Sequence, residues 1–566
     1  MVDASKLHSL TGYPLNNERS FTIDYEHNTF LKDGKPFRYI SGSMHYFRTP
    51  HQLWEDRFYK AKMAGLNVIQ TYVAWNMHEM FEDVYHFEND LDIVSYIKLA
   101  QQYDLMILLR PGPYIDSEWE YGGFPYWMNN KVGKLIRTSD QGYLNLVDKW
   151  FSVLLPKVKP LLYENGGPII GVQVENEYGS YGCDEKYMLA MEQMLRKYLG
   201  QKVFLYTTDP IIDQALQCGS ISSLYRTVDF GAGHDVNKSF ALQRKYQPKG
   251  PYVNSEYYTG WFDNWGEGHH VERPEYIAHY LDQILSFENA SVNLYLFEGG
   301  SNRNFMNGGS YIANEYLPIT TSYDFDAPLS EAGDPTEKYW QIQKVISKYE
   351  RLPSGPQPEP TKKLAYRKLR IYSVENEGRT CFSEAIQDVR KGLLSGVILS
   401  GAPITGDWEH FRYGIYRQNT PEAPVRESEE ENHRLGGFAA HRPFDEQALV
   451  IVNSFTEHIP KVQKLFTSTQ VQDGWVGPPA LYGITFVLEE VADTYLKLDQ
   501  WGKGFATINE DHYYKYWTSS IPQKTIFIPK TNLKVGNNTI VLTEFERAPS
   551  SMDEAYIELV EKPVFV

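Results

Sequence analysis

The sequence is poor in cysteine, in long apolar runs and in clustered positive charge, and each shortage excludes a class of protein. Three cysteines among 566 residues cannot build a disulfide-dense scaffold, and they form no Cys-x-x-Cys pair for a metal. No apolar run approaches the roughly 20 residues that a membrane-spanning helix needs, so we expect no membrane span. The first ten residues contain no apolar stretch, so we expect no secretory signal peptide in this chain.

Acidic residues outnumber basic ones: the chain has 72 Asp and Glu and 55 Lys and Arg, which gives a formal net charge of −17. A nucleic-acid partner needs a basic footprint, so none is expected, and a neutral substrate fits this charge better. No GxSxG or GxGxxG loop follows a predicted strand, which argues against a hydrolase triad and a dinucleotide site. His45 and His78 lack a neighbouring second ligand, so both are predicted to be structural, and we expect no metal and no other cofactor.

Two patterns alternate regularly in the part of the chain before a Pro-rich stretch. Short runs rich in β-branched and aromatic residues are separated by amphipathic stretches, such as residues 53–64 and 143–162, that predict helices. Eight such units are typical of an α/β fold, the (β/α)8 or TIM barrel, which we assign to residues 1–351. The predicted strands are residues 37–44, 67–73, 105–110, 168–174, 202–206, 225–230, 251–255 and 292–297.

The composition changes at residue 352. Residues 352–363 are rich in proline and are predicted to form a linker. Beyond them, short alternating strands separated by turn residues predict one or two β-sandwich domains. We place a first β domain at residues 364–473 and a second at residues 474–566.

The carboxyl ends of the predicted barrel strands, where a TIM barrel carries its catalytic groups, gather acidic residues. The fourth strand leads into Asn176 and Glu177. The seventh leads into Glu256 and the third into Glu118. A single Glu at a strand end is more often a helix cap or the partner of an Arg. Two such carboxylates in loops rich in Tyr and Trp favour glycoside hydrolysis, in which one carboxyl protonates the leaving oxygen and the other supports a cationic transition state.

Five segments resemble glycoside hydrolase family 35, in particular its animal lysosomal-type β-galactosidases: VQVENEYGSYG, SEYYTGWFDNWG, TYVAWNMHE, ILLRPGPYIDSEWEYGGFPYW and TSYDFDAPLSEAGDPTEKY. The resemblance implies a retaining exo-β-galactosidase that hydrolyses terminal β-D-galactosyl residues by double displacement. It implies Glu177 as the acid/base and Glu256 as the nucleophile. The residues that match family positions around the galactose are Tyr72, Glu118, Asn176, Tyr258, Trp261, Tyr295 and Tyr323.

The same resemblance implies three further features. Cys183 and Cys218 match cysteine positions of the family and are expected to form a disulfide, which leaves Cys381 as a thiol. The segment WGKGFATINEDHYYKYW resembles part of a galactose-binding-like jelly-roll domain. Relatives are lysosomal or secreted, and Asn-x-Ser/Thr sequons at Asn237, Asn289 and Asn537 give weak support to that localisation.

The sequence departs from the family pattern at several positions, so its fine specificity stays open. Asp116 and Ser117 stand where relatives have Cys-Ala, and Phe325 replaces a tyrosine. Glu298 stands where an apolar residue is commoner, and residues 300–309 diverge. Two alternatives remain: another retaining exo-glycosidase acting on glucosaminyl or fucosyl units, and an inactive carbohydrate-binding protein. The natural aglycone, the linkage preference, the pH optimum and the oligomeric state, with a homo-oligomer as one option, are not determined.

Overall fold

The computed structural model describes residues 19–312, 315–371, 373–375, 477–478, 480–509 and 513–566, and eight parallel strands form a closed barrel at its centre. Around the barrel, strand follows strand in chain order, as in a TIM barrel. Three short strands precede it: β1 (Phe21–Asp24), β2 (Thr29–Lys32) and β3 (Lys35–Phe37). The barrel strands are β4 (Ile40–Met44), β5 (Val68–Tyr72), β6 (Met106–Arg110), β7 (Ile169–Gln173), β8 (Leu205–Pro210), β9 (Tyr225–Asp229), β10 (Val253–Tyr258) and β11 (Ser291–Glu298).

The predicted α/β barrel is confirmed, since each predicted run overlaps one barrel strand. Every residue of β4, β5, β6 and β7 is buried, which explains why apolar and small residues dominate these strands. The predicted bounds of the fifth strand were wrong. It begins at Leu205 rather than at 202 and continues through two buried threonines to Pro210, and the polarity of those threonines concealed its second half.

Helices surround the barrel, and several begin at an aspartate whose carboxylate accepts a backbone N–H of the first turn. The predicted helix 143–162 is a helix at 141–158 that continues as a 3-10 turn. The helices are α1 (Trp54–Met63), α2 (Trp75–His78), α3 (Ile93–Gln102), α4 (Asn129–Val132), α5 (Gln141–Val158), α6 (Tyr178–Tyr181), α7 (Glu185–Leu199), α8 (Asp213–Cys218), α9 (Val236–Tyr246), α10 (Pro274–Ser286) and α11 (Glu337–Ile346). None of those in the described ranges is long and apolar enough to cross a membrane.

The sheet β1–β3 covers the amino-terminal end of the barrel with aromatic side chains. Phe30 is fully buried, and its ring centroid lies 5.1 Å from Phe21, 5.5 Å from Tyr39 and 5.4 Å from Phe204. The same cluster includes side chains from the first residues of several barrel strands, such as Val68 and Val253. This end of the barrel is therefore closed by apolar packing.

A β-sandwich follows the barrel and confirms the predicted carboxyl-terminal β architecture. After the hairpin β12 (Gly309–Ile312) and β13 (Glu315–Pro318), the strands are β14 (Tyr366–Arg370), β15 (Ser373–Glu375), β16 (Ala480–Leu488), β17 (Thr494–Lys497), β18 (Lys503–Ile508), β19 (Tyr513–Trp517), β20 (Thr525–Ile528), β21 (Gly536–Glu544) and β22 (Tyr556–Val560). They form two sheets, with the orders β14-β22-β17-β20 and β15-β16-β21-β18-β19, that pack around Tyr482, Trp501 and Leu542. Most of the predicted first β domain lies outside the described residues, so the domain boundaries stay predictions.

The sandwich holds the divergent segment 300–309 against the barrel. The Asn304 backbone N–H donates to the Tyr513 carbonyl at 3.0 Å, and the Phe305 ring lies 4.5 Å from that of Phe505. The Thr321 hydroxyl donates to the Lys515 carbonyl at 2.7 Å. The carboxyl-terminal rim of the barrel is thus buttressed by the second domain.

A disulfide joins Cys183 to Cys218, with Cα atoms 4.5 Å apart. It is the bridge that the family resemblance implies. It connects the segment after Glu177 to the end of α8, so it ties together the loops that follow β7 and β8. Cys381 lies outside the described residues.

Candidate active site

Two loops at the carboxyl-terminal rim carry their acidic residues on left-handed backbone. Asp116, Ser117 and Glu118 follow one another at φ of 50°, 59° and 47°. Glu175 and Glu177 adopt φ of 62° and 43°, and Glu177 directly precedes α6. Non-glycine residues rarely adopt this conformation, and they concentrate at functional sites where the surroundings hold them. This clustering marks the rim above β6 and β7 as the candidate site.

Glu256 lies within β10, where the pairing with β9 shifts register. Its Oε1 is 2.5 Å from Arg110 Nη2 and accepts the Tyr72 hydroxyl at 3.2 Å. All three side chains are buried, and the Arg110 guanidinium also lies 4.0 Å from the centroid of the Tyr72 ring. A cation and a hydroxyl donor on one oxygen stabilise Glu256 as a carboxylate.

Glu177 has the opposite surroundings, because three carboxyl groups face it. Burial raises the pKa of Glu177 well above its ordinary value, and the negative charges of Asp229, Glu256 and Asp116 raise it further, as does a side-chain hydrogen bond with Asp229. The surroundings of Glu177 therefore favour its neutral acid form. Those of Glu256 differ in kind, because Arg110 and Tyr72 bind its carboxylate oxygen.

The amide of Asn176 is oriented by two nitrogen donors. Its Oδ1 accepts a short hydrogen bond from Arg110 and a second one from Gln173 at 3.2 Å, and the Tyr72 hydroxyl, which donates to Glu256, lies 3.3 Å away. The Asn176 amide nitrogen is therefore the group left to donate to a ligand. Arg137 supports the backbone, since it donates to the Asn176 carbonyl at 2.6 Å and pairs with Glu175.

Glu118 accepts a short hydrogen bond from the Tyr323 hydroxyl, which lies 3.3 Å from that of Tyr295. Burial and the nearby charge of Asp116 raise the pKa of Glu118 to about 8. A glutamate at a strand end is often the partner of an arginine, but Arg110, which ends the same strand β6, forms its ion pair with Glu256.

Aromatic rings form one wall of the site. The Tyr258 ring stands edge-on to Trp261 at 5.2 Å and to Tyr295 at 6.0 Å, and Phe325 lies 5.7 Å from Tyr295. Tyr258 and Trp261 are partly exposed, whereas Tyr295, Tyr323 and Phe325 are buried. The two partly exposed rings offer a platform for the apolar face of a sugar.

The two histidines near the rim are neutral and structural. Arg48 Nη1 lies 2.7 Å from His45 Nδ1 and can only donate, so the imidazole is neutral with its hydrogen on Nε2. Burial lowers the pKa of His45 well below its usual range and that of His78 to about 4. In the described ranges, no three side chains of His, Cys, Asp or Glu form a group that could hold a metal ion.

Glu298, which departs from the family pattern, forms a buried pair with Arg57. The Arg57 Nε atom donates to its carboxylate at 3.1 Å, and the Thr49 hydroxyl donates at 3.0 Å. These contacts give a structural reason for a charged residue at the end of β11.

Sequence reasoning missed Arg110 and Asp229. Asp229 is the last residue of β9, is 3% exposed and stands in register with Glu256. The rule that identified Glu177 and Glu256, an acidic residue where a barrel strand ends, would also have found it. Arg110 ends β6, and no pattern in the sequence indicates that it pairs with Glu256.

Comparisons with known proteins identify the family of this chain. Residues 29–349 match the model of glycosyl hydrolases family 35, and residues 479–538 match a β-galactosidase galactose-binding domain. A β-galactosidase of Bos taurus is 38% identical over 640 residues, with 99% of this chain and 96% of that protein covered. A β-galactosidase of Homo sapiens is 39% identical over 627 residues, with 97% and 91% covered. A solved β-galactosidase from the psychrophilic Marinomonas ef1 covers 55% of this chain and 59% of its own, at 9% identity and a TM-score of 0.40.

Proposed function

We propose a retaining exo-β-galactosidase activity for this chain, which belongs to glycosyl hydrolases family 35 and is a glycoside hydrolase. The proposal is that it releases terminal non-reducing β-D-galactosyl residues from oligosaccharides or glycoconjugates. The observation that carries it is the contrast between Glu177, which faces carboxyl groups, and Glu256, which is bound by Arg110 and Tyr72.

In the first half of the proposed reaction, a Glu256 oxygen attacks the anomeric carbon while the bond from that carbon to the aglycone oxygen breaks. Glu177 transfers its proton to the departing oxygen and becomes a carboxylate. An ionised nucleophile and a protonated acid are the states that the two environments favour.

In the second half, Glu177 removes a proton from a water molecule. The water oxygen attacks the anomeric carbon, the ester bond to Glu256 breaks, and Glu256 returns as a carboxylate beside Arg110. Two inversions at one carbon give net retention, so the first product is β-galactose.

The remaining predicted residues are proposed to hold the galactose. The Asn176 amide nitrogen donates to the 2-hydroxyl, an interaction that strengthens in the transition state. Glu118 and Tyr72 bind other hydroxyls, and Tyr258 and Trp261 pack on the apolar face of the ring. Tyr295 and Tyr323 orient Glu118 through their hydroxyls.

Lysosomal or secreted localisation is part of the proposal. The Cys183–Cys218 disulfide supports it, because such bridges persist in oxidising compartments.

A panel of aryl β-glycosides measured across pH tests the function. We expect turnover of the galactoside, and NMR of the initial product should show the β anomer. Preferred turnover of a glucosaminide or fucoside would favour the alternative exo-glycosidase, and no turnover of any glycoside would favour a binding protein. Release of α-galactose first would contradict double displacement.

A further inference from the structure

Asp229 is a third carboxyl at the mouth of the barrel, and the mechanism above gives it no role. It ends β9, it is buried, and it stands opposite Glu256 in the pairing of β9 with β10. It forms a side-chain hydrogen bond with Glu177. A buried carboxyl in contact with the acid/base is placed to act on its proton.

The hydrogen bonds of Asp229 determine which partner holds that proton. The Tyr258 hydroxyl donates to Oδ2 at 3.0 Å, and the Thr208 hydroxyl lies 3.5 Å from Oδ1. Asp229 is therefore already an acceptor on both oxygens. Two carboxylates cannot hydrogen-bond to each other without a proton, so the one that they share resides on Glu177 and points at Asp229.

We propose that Asp229 is a positioning residue that keeps the acid/base Glu177 protonated until the glycosidic bond breaks. The inference rests on the proposed galactosidase function. Once Glu177 has given its proton to the leaving oxygen, two carboxylates face each other. Their repulsion makes Glu177 a stronger base, which favours removal of a proton from the incoming water in the second half of the reaction.

Charged and titratable groups face this pair from several elements. They are Glu256 and Tyr258 of β10, Arg110 of β6, Asp116 of the loop after β6, Asp209 of β8, and Tyr72 of β5. Burial and the charge of Glu256 raise the pKa of Asp229 to about 7. Above that pH the two carboxyls share one proton, and the negative charge of Asp229 opposes ionisation of Glu177. Below that pH Asp229 also binds a proton, and this effect on Glu177 is lost.

Replacement of Asp229 by asparagine should make Glu177 a stronger acid. Asp229→Asn keeps an oxygen acceptor for Tyr258 and Glu177 but never becomes negative. The pKa of Glu177 then falls, so the alkaline limb of the kcat/KM profile should move to lower pH by about one unit or more. The ratio of variant to wild-type activity should be highest near pH 4 to 5 and should fall as the pH rises through 7.

The experiment compares wild type, Asp229→Asn and Asp209→Asn on a phenyl β-galactoside and on 2,4-dinitrophenyl β-galactoside. Asp209 is a nearby control, because it is a buried carboxyl one residue before the end of the neighbouring strand β8 and accepts the Gly179 backbone N–H at 2.9 Å, whereas the side-chain hydrogen bond of Glu177 is with Asp229. We expect the limb to move only in Asp229→Asn, and the loss of activity above the limb to be largest for the phenyl substrate, since its poor leaving group needs the acid.

An unmoved limb in Asp229→Asn, or an equal loss at every pH and with both substrates, would overturn the inference, because a merely structural residue gives that result. If Asp229→Asn does not fold, Asp229→Ser, which is smaller and also uncharged, should give the same shift. Absence of galactoside turnover in the wild type would instead refute the proposed function.

Discussion

The two ends of the barrel are built from the same eight strands and differ in almost every physical respect. At the amino-terminal end, Phe30 and its neighbours pack ring against ring beneath a small sheet. At the carboxyl-terminal end, Glu118, Glu177, Asp229 and Glu256 share one partly buried mouth with Arg110. The apolar packing at the amino-terminal end stabilises the folded state. The carboxyl-terminal end holds carboxyl groups whose pKa values differ from those of the same groups in water.

We infer that different residues of this molecule determine its stability and its catalytic activity. Substitutions at the apolar end should change the free energy of unfolding and leave kcat/KM per folded molecule intact. Substitutions at the acidic end should do the reverse. Each of the following experiments tests whether stability and activity respond to different substitutions.

Glu256→Gln should have the largest effect. The amide keeps the shape of the side chain but cannot form the covalent intermediate, so kcat should fall by roughly 10⁴-fold or more. Steady-state kinetics on an aryl β-galactoside measure the loss, and the melting temperature should stay close to that of the wild type. Substantial residual turnover would show that another group is the nucleophile.

Glu177→Ala should lose less, and unequally between substrates. General acid catalysis contributes about 10² to 10⁴-fold, and poor leaving groups depend on it most. Azide should restore turnover by attacking the glycosyl-enzyme, with β-galactosyl azide as the product. Mass spectrometry and NMR identify that product. If phenyl and dinitrophenyl galactosides slowed equally and azide had no effect, Glu177 would not be the acid/base.

Glu118→Gln should cost roughly 10 to 100-fold in kcat/KM, the size of one lost hydrogen bond to a charged group. The amide still accepts from Tyr323 and removes a carboxyl whose pKa is raised to about 8, so the fold should not weaken. Kinetics and thermal melting are measured together. An earlier melt with full specific activity would mean that Glu118 is structural.

Phe30→Ala tests the other end of the barrel. A fully buried ring in an aromatic cluster is removed, so the free energy of unfolding should fall by about 3–5 kcal/mol. Denaturant unfolding measures this, and kcat/KM per folded molecule should be unchanged. A large loss of kcat/KM in the folded variant would show that the two ends are coupled.

The smallest effect concerns pH. Glu118 and Glu331 have folded pKa values of about 8 and Asp229 one of about 7, all above their ordinary values. The folded state therefore binds more protons than the unfolded state, and stability should fall as the pH rises from 6.5 to 8.5. His45 and His78 are neutral in the folded state but about half protonated at pH 6.5 in the unfolded chain, so they oppose this fall near pH 6.5 and no longer do so above about pH 7.5.

Calorimetry at the two pH values should therefore show a melting temperature that is lower by a few degrees at pH 8.5. The fall should be shallower in Glu118→Gln, which lacks one of these carboxyls. A melting temperature that is level or rises over this range would contradict the raised values.

Much of this molecule could be predicted from its sequence, for reasons that differ between regions. The barrel was predictable because strands buried on both faces must be apolar, and β8 was misplaced where buried threonines broke that pattern. The placement of Glu177 and Glu256 at the carboxyl-terminal rim was predictable, because the sequence puts both at the carboxyl ends of apolar runs. The pairing of Arg110 with Glu256 was not, since it depends on side chains from two strands far apart in sequence.

The disulfide has a mechanical consequence. The covalent loop from Cys183 to Cys218 spans 35 residues and contains all of β8. A chain pulled from its two termini cannot extend that loop, so its contour length is shorter by about 120 Å at roughly 3.3–3.6 Å per residue. In an optical trap, the unfolded oxidised and reduced molecules would differ in contour length by that amount. In the oxidised molecule, the applied force would pass through the disulfide and not through β8.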